Sequence, residues 1–409
     1  MLRNRLYRRL WLGQAVSQVG DYVFGSTVML WIAAGLLAGK SYAPAVSAAS
    51  LVIAAVVGVL VAPLAGVYVD RWDKVRVATV TTVIRAIVAA CFVGLPFLHG
   101  WVPLLVGGLG VLIEAVAAVF FNPARFVIVT DVVAEQDRGR AAAMTQASTA
   151  VATILGPLLA AVLFVWVGPA LAFALNAVTF VVSFLAIRVA PSVSGSLSRG
   201  QIGQELLEPL RIIVGRPVLR MVLIAGSVIM LGAGTINALD VYFVQENLHA
   251  GPQWYGVISA AFGAGVLAGA LLVGALGDRV GYRRIFAGAL IALGLVFLAY
   301  SRLTTPVPAV VLIFAYGLFA GGVETSISPL TIAAVPRDVL ARVISVFGPA
   351  FRLASIASII GFLVAGLANT SIVNMWWLTF FMLSALIGYA LSLRTSNPYS
   401  STVEAPRAA

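Results

Sequence analysis

The chain has 409 residues, of which 61% are hydrophobic and only 10% are charged, and its mean hydropathy is +1.04. Soluble domains carry about 25% charged residues, so this composition excludes a soluble globular protein and makes lipid the solvent for most of the outer surface. The formal charge of +11 would favour nucleic-acid binding in a soluble protein, but the positions of the basic residues explain it differently, as described below.

Continuous apolar runs, each closed by a cluster of Gly, Pro or charged residues, follow one another along the chain. A membrane-spanning helix needs about 20 apolar residues, and the runs are continuous rather than alternating, which favours helices over barrel strands. The first run follows four arginines and is too long for a signal-peptide core, so we expect a retained first helix. The twelve predicted spans are 10–37, 46–69, 77–98, 102–124, 142–166, 169–189, 218–243, 254–277, 284–301, 308–333, 342–367 and 372–393.

The 26 Lys and Arg residues are distributed unevenly over the loops between these runs. With the N-terminus in the cytoplasm, 21 of them fall on the cytoplasmic side, Lys40 and Arg302 fall outside, and Arg85, Arg125 and Arg352 lie within runs. This asymmetry follows the positive-inside rule. We therefore expect a multi-pass protein of the cell (inner or plasma) membrane, with an even number of spans, both termini cytoplasmic and no nucleic-acid partner. The membrane face that carries the 21 residues is called the basic side below.

A short basic motif occurs twice, about half a chain apart. Residues 66–76 and 274–284 each end one apolar run and precede the next, and the aspartates Asp70 and Asp278 are separated by 208 positions. The prolines that end runs four and ten, and the arginines that precede runs five and eleven, recur at similar offsets. A duplicated membrane unit explains this repetition, and such duplication is typical of secondary transporters.

The repetition predicts two halves joined by a linker. We expect a six-helix bundle over 1–190, a cytoplasmic linker over 191–217, a second six-helix bundle over 218–395 and a disordered tail over 396–409. The apolar spacing within 202–213 predicts a short amphipathic interfacial helix in the linker, although Pro209 lies in its middle.

The motif at 66–76 resembles the loop signature between the second and third helices of the major facilitator superfamily, and residues 274–284 resemble the same family's loop between helices eight and nine. The resemblance covers essentially the whole chain. The start of the chain, with Gly13 and Asp21, is similar to the drug-exporter branch that includes the enterobactin exporter and macrolide-efflux proteins. The resemblance implies an all-α membrane fold of twelve transmembrane helices, arranged as two pseudo-symmetric six-helix bundles around a central cavity with alternating access.

Three charged residues of the first half lie at similar depth in the membrane. Asp21 is in run one, Arg85 in run three and Glu114 in run four. A charge inside a bilayer costs about 2.5–3.5 kcal/mol on insertion scales, so such residues persist when they are paired or functional. Because burial favours the neutral form of a carboxylic acid, Asp21 and Glu114 are candidates for binding protons or cationic substrate. The alternative is a structural ion pair with Arg85.

Three further charges lie within the second half. Glu324 in run ten and Arg352 in run eleven share a depth, so they could pair with each other or contribute to a proton or substrate site. Asp240 lies near the outer end of run seven, where it could also simply meet water.

The duplicated motif predicts a latch that closes the basic side. Gly66 and Gly274 would allow close approach of a neighbouring helix, Asp70 would bond the amides of a facing helix, and the basic residues would pair with Asp131, Glu135 or Asp137. The alternative is that the basic residues act only as topology signals. The predicted gating residues are Gly66, Asp70, Arg71, Lys74, Arg76, Gly274, Asp278, Arg279 and Arg283, together with Gly156 and Pro157, which would bend run five.

These features together predict a transporter rather than an enzyme. We expect a monomeric, proton-coupled exporter of amphipathic or hydrophobic small molecules, with protons, the substrate and the lipid bilayer as its partners. Alternatives of the same fold are a siderophore or lysophospholipid transporter and an uncoupled facilitator or importer, and a membrane scaffold or sensor is a different class. The one cysteine, Cys91, excludes an internal disulfide and suggests no metal site, and no cofactor is expected.

Overall fold

A computed structural model describes residues 4–134, 137–192, 207–335, 337–364 and 382–388, and within these ranges the chain is helical with no strands. Ten of its helices are long and apolar enough to cross a membrane. The helices are α1 (Arg5–Leu30), α2 (Ala43–Leu60), α3 (Ala62–Arg71), α4 (Lys74–Gly94), α5 (Val102–Asp131), α6 (Arg138–Trp166), α7 (Pro169–Ile187), α8 (Leu207–Gly215), α9 (Pro217–Tyr242), α10 (Pro252–Val280), α11 (Tyr282–Tyr300), α12 (Pro306–Ala334) and α13 (Arg337–Val364).

These helices match the first eleven predicted runs, with α13 containing a shorter apolar stretch at Val346–Gly361. Of the predicted twelfth span, only 382–388 is described, and it is helical. The predicted tail at 396–409 lies outside the described residues. The linker helix is described from Leu207 to Gly215, and Pro209 lies within it.

The second predicted run is not one continuous helix. It is divided into α2 and α3 by an interruption at Val61, and α3 has a proline in its first turn. Proline has no amide hydrogen to bond the preceding turn, which interrupts helices at such positions. The single span predicted over 46–69 is therefore wrong in this detail.

Helix packing divides the chain into two groups. In the first half, α1 packs on α6 and α7, and α4 packs on α5 and α7; in the second half, α12 packs on α10 and α11, and α9 packs on α13. The two halves meet where α6 lies against α10 and where α2 lies against α9 and α13.

Glycines produce the closest contact, that between α10 and α12. A β-carbon on Gly265 or Gly269 would overlap backbone atoms of α12, and one on Gly317 or Gly321 would overlap backbone atoms of α10. Each pair is spaced by four residues, so both glycines lie on one face of their helix. These glycines let the two backbones approach closely, as small residues do in lipid.

Two hydrogen bonds connect the halves at helix ends that lie away from the basic side. Ser47, near the start of α2, shares a 2.7 Å hydrogen bond with Tyr242, at the end of α9. Ser26 of α1 is hydrogen-bonded with Tyr255 of α10. These polar contacts join the two halves near the face opposite the basic loops.

Candidate functional site

Asp21, Arg85 and Glu114 form one ionic cluster inside the first half. The Arg85 Nη2 atom lies 3.0 Å from Asp21 Oδ1, and Arg85 Nε donates to Glu114 Oε1 at 2.6 Å. Arg85 comes from α4, Asp21 from α1 and Glu114 from α5. The similar depth expected from the sequence therefore corresponds to direct contact, and the cluster ties three helices together.

Aromatic rings cover the faces of the Arg85 guanidinium. Its central carbon lies 4.5 Å from the centroid of Phe180 and 5.4 Å from that of Phe121. A cation placed over an aromatic ring is attracted by the negative face of the π system. The guanidinium is thus bonded to two carboxylates and lies close to two aromatic rings.

The three side chains differ in their access to solvent. Arg85 is 6% exposed and Glu114 is 16% exposed, whereas Asp21 is 33% exposed. With both carboxylates ionised, the cluster carries one net negative charge. Asp21 is therefore the most exposed side chain of the cluster.

Two glutamines of α1 lie between the basic side of the membrane and Asp21. Gln14 and Gln18 precede Asp21 on one face of α1, because spacings of three and four residues place side chains on the same side of a helix. They border a small cavity that Ser148 of α6 and Arg125 of α5 also line. Gln18 additionally accepts a hydrogen bond from Thr149, at 3.4 Å. The two glutamines therefore place polar side chains on the face of α1 that carries Asp21, in the turns nearer the basic side.

Arg125 belongs to this region and was not singled out from the sequence. The sequence places Arg125 with Arg85 and Arg352 among the arginines within runs, but it was not proposed as a site residue, and α5 continues past it as a helix to Asp131. Its guanidinium carbon is 6.0 Å from the centroid of Phe121, and it interacts electrostatically with Asp21. Its position one turn after Phe121 is the sequence signal that would have placed it beside the cluster.

Asp240 is buried in the second half rather than open to outer water. Its carboxylate is 9% exposed and accepts a 3.0 Å hydrogen bond from the Tyr300 hydroxyl. In the part of the chain that is described, no Lys or Arg lies within 4.0 Å of Asp240. A phenol hydrogen bond therefore stabilises this carboxylate where the first half uses an arginine.

Glu324 and Arg352 do not form the pair that their equal depth allowed. Both side chains are exposed, and no ion pair joins them among the described residues. Arg352 instead lies across the interface between the halves, where a β-carbon on Gly58 of α2 would be 2.7 Å from its Nη1 atom. The reason is that α13 packs mainly on α9 and α2 and has few contacts with α12. Glu324 on α12 and Arg352 on α13 therefore do not face each other, although they share a depth in the membrane.

The glycines of the duplicated motif do not bring helices together in this structure. A β-carbon built on Gly66 or Gly274 meets no atom within 4 Å. The close approach predicted for these two positions is therefore wrong here. The close contact in the second copy is at Gly277, which packs against the ring of Tyr282.

The polar residues of the first motif are organised around the start of α4. The Asp73 side chain accepts the backbone amide of Arg76 at 2.8 Å and caps the helix, a role that was not predicted. Lys74 is buried and donates to the Trp72 carbonyl oxygen at 3.2 Å, whereas Arg71 and Arg76 are exposed.

The predicted latch partners are not engaged by the exposed arginines of this motif. Among the described residues, neither Arg71 nor Arg76 has an ion pair with Asp131 or Asp137, and Asp137 pairs with Arg140 at 3.5 Å. The side chains of Asp70 and Glu135 lie outside the described part.

The second motif is also exposed on the basic side. Asp278 and Arg279 lie at the end of α10, and Asp278 accepts a 3.1 Å hydrogen bond from Tyr282. Arg283 follows in the first turn of α11 and is half-buried. The predicted gating role of both copies stays a prediction.

Gly156 and Pro157 lie where α6 meets helices of both halves. A β-carbon on Gly156 would overlap Tyr22 of α1, the residue after Asp21, and one on Gly256 of α10 would be 2.8 Å from the Pro157 carbonyl oxygen. This segment of α6 therefore connects the neighbourhood of the ionic cluster with the second half.

Comparison with known proteins places the fold. The chain matches the family model described as Major Facilitator Superfamily over residues 10–358 and 222–405. It resembles a bacterial homologue of the iron transporter ferroportin in an inward-facing state, with a TM-score of 0.74, 14% identity and coverage of 95% of this chain and 99% of that one. A peptide transporter matches with a TM-score of 0.73, 13% identity and coverage of 94% and 93%.

Sequence relatives include exporters. A putative bacilysin exporter of Bacillus subtilis is 30% identical over 183 residues, an alignment that covers only 42% of this chain and 41% of the relative. Macrolide efflux protein A of Streptococcus pyogenes is 23% identical over 385 residues, which cover 90% of this chain and 91% of the relative. The helical fold, the duplicated halves and the match along most of the sequence identify the chain as a member of the major facilitator superfamily of membrane transporters.

Proposed function

We propose that this transporter exports amphipathic or hydrophobic small molecules in exchange for protons, with Asp21 as the residue that takes up and releases the proton. The observation that carries the proposal is the cluster of Asp21, Arg85 and Glu114, in which two carboxylates share one buried cation and only Asp21 is substantially exposed. The two exporter relatives support the outward direction of transport.

The charge balance of the cluster gives the coupling. With Asp21 and Glu114 ionised, the three side chains of the cluster have a net charge of −1, and Arg125, outside the cluster, interacts with Asp21 more weakly than Arg85 does. Bringing this net charge into an occluded, water-poor state is costly because a charge without a close partner loses its solvation. One proton on Asp21 makes the cluster neutral. Protonation therefore favours the return of the unloaded protein through the occluded state, and a bound substrate cation can neutralise the cluster in the opposite half of the cycle.

The arrangement of the halves corresponds to an inward-facing state in this proposal. Ser47 and Tyr242 are hydrogen-bonded on the face opposite the basic side, and Ser26 and Tyr255 connect the halves nearby. With the basic side in the cytoplasm, Gln14 and Gln18 then give Asp21 its approach from the cytoplasm. A proton taken up outside would leave along this polar face, and substrate would enter from the same side.

Transport by purified protein in liposomes tests the coupling. A macrolide is added to vesicles that carry an imposed pH gradient, and both drug flux and lumenal pH are followed. Wild type should move drug against its gradient with opposite proton movement. Asp21→Asn should reduce driven flux to the background level while leaving passive exchange, because an amide cannot take up the proton.

Glu246→Gln is the matched control, since Glu246 is an exposed acid beyond the end of α9 and outside the cluster. It should transport like wild type. Driven flux at the wild-type rate in Asp21→Asn would contradict the proton role of Asp21. Drug flux without any proton movement in wild type would instead establish an uncoupled facilitator.

A further inference from the structure

A groove of about 700 Å³ runs between α4 and α5 on the outside of the first half. Most of its wall is apolar and comes from alternate turns of the two helices. The residues that form the wall include Val77, Val80 and Ile84 on α4 and Leu112, Val116 and Phe120 on α5.

The groove faces lipid and not the ionic cluster. Val80 is 51% exposed and Leu112 is 40% exposed. The opposite face of α4 carries Ala78, Thr82 and Arg85, which are buried against the rest of the bundle. The groove is therefore separate from the site around Asp21, and hydrocarbon rather than water must fill most of it.

Aromatic and charged residues close the groove at the basic side. The ring of Trp72 stacks on that of Phe120 with centroids 6.5 Å apart and contacts Tyr68 at 5.1 Å. Asp73 and Arg76 border the same end of the groove. Tryptophan is enriched at the level of lipid headgroups, so this end lies where a headgroup would be.

The length of the groove fits one leaflet. Arg76 and Ile84 are eight residues apart on α4, and at about 1.5 Å per residue the distance along the helix is about 12 Å. One leaflet contributes about 15 Å of hydrocarbon. A chain whose headgroup lies at Arg76 would therefore reach almost to the middle of the membrane.

The charge at the end of the groove selects an anionic headgroup. The Arg76 side chain is exposed, and among the described side chains no carboxylate lies within 4.0 Å of its guanidinium. Asp73 is already engaged as the cap of α4. Arg71 adds a second exposed cation nearby in the sequence.

We propose that this groove binds one anionic phospholipid of the leaflet on the basic side, with its phosphate at Arg76 and an acyl chain between α4 and α5. The lipid contacts Trp72 in the connection between α3 and α4 and Phe120 on α5, so it reinforces the packing of the first motif against the bundle.

The duplication provides a matched control in the second half. At the offset of 208 positions, Arg284 corresponds to Arg76, but Val280 replaces Trp72 and Gly288 replaces Val80. The second copy thus keeps the cation and lacks both the aromatic cover and the branched side chain of the wall. Arg284→Gln removes an equivalent positive charge at a position that has neither Trp72 nor Val80 as its counterpart neighbour.

Native mass spectrometry of the purified full-length protein tests the proposal. The protein is equilibrated with micelles containing equal amounts of phosphatidylglycerol and phosphatidylcholine, and retained lipids are counted. Wild type should retain one phosphatidylglycerol preferentially. Arg76→Gln should lower this preference about fivefold, the factor expected for one basic residue near an anionic surface, and Arg284→Gln should leave it unchanged.

A second variant tests the acyl site independently of the charge. Val80→Trp fills the wall and should abolish retention of either lipid, whereas Val178→Trp, at an exposed position on α7, should not. Equal retention of the two lipids, an equal effect of Arg284→Gln, or unchanged retention in Val80→Trp would overturn the proposal. Loss of macrolide binding with intact lipid retention in Val80→Trp would make the groove a drug site and would also overturn it.

Discussion

Removal of the Arg85 cation is the sharpest test of the ionic cluster. Arg85→Gln leaves Asp21 and Glu114 facing each other without the guanidinium that lies 3.0 Å and 2.6 Å from their oxygens. Two opposite charges about 4 Å apart attract by about 4 kcal/mol at an effective dielectric constant of about 20. Removing one partner of a buried pair costs about 3–5 kcal/mol, and because Arg85 serves two carboxylates we expect the upper part of this range.

The loss should depend on pH, with a sign that follows from proton binding. Without Arg85, two neighbouring carboxylates have no cation between them, and uptake of a proton by the folded variant relieves their mutual repulsion. Stability falls with rising pH wherever the folded state binds more protons than the unfolded state. Arg85→Gln should therefore be least destabilised at acidic pH and most destabilised at neutral pH.

The assay is thermal unfolding of the detergent-solubilised variants over a range of pH. Arg140→Gln is the control, because Arg140 forms an exposed pair with Asp137 at 3.5 Å, and such pairs contribute about 0–1 kcal/mol. Replacing both carboxylates by amides in the Arg85→Gln background should restore part of the stability and remove its pH dependence. Wild-type stability of Arg85→Gln, or a loss that does not change with pH, would refute the reasoning.

Two further predictions concern helix packing and the contact between the halves. Gly269→Val should destabilise the protein by about 1–3 kcal/mol, because the added side chain overlaps the α12 backbone. Gly274→Val should be close to neutral, because an added β-carbon there meets nothing within 4 Å. Equal unfolding midpoints for the two variants would contradict the close packing of α10 on α12. Tyr242→Phe removes the hydrogen bond to Ser47. Such a bond contributes about 1 kcal/mol, so its loss should shift the conformational equilibrium about fivefold towards states that are open on that face. Distances between spin labels at the ends of α2 and α9 measure this shift, and Ser47→Ala should add nothing further in the double variant.

The membrane class and the helix inventory could be read from local patterns. Apolar runs predict the helices because a span must satisfy its own backbone hydrogen bonds in lipid, and this requirement acts on each segment separately. The positions of the arginines likewise predict, loop by loop, which loops lie on the same face of the membrane. The cluster in the first half could also be predicted in part, because Asp21, Arg85 and Glu114 share a depth in the membrane and a buried charge needs a partner.

What the sequence alone determined is therefore the depth of each residue in the membrane, together with the segment it belongs to. Tertiary structure decided which residues at that depth face each other: Arg85 meets two carboxylates, whereas Glu324 and Arg352, equally matched in depth, lie on helices that hardly touch. It also decided that Gly269 is packed against a backbone and that Gly274 is not. The physical reason is that depth follows from local hydrophobicity, whereas contact depends on the rotation of each helix and on the identity of its neighbours, which arise from the packing of all helices together.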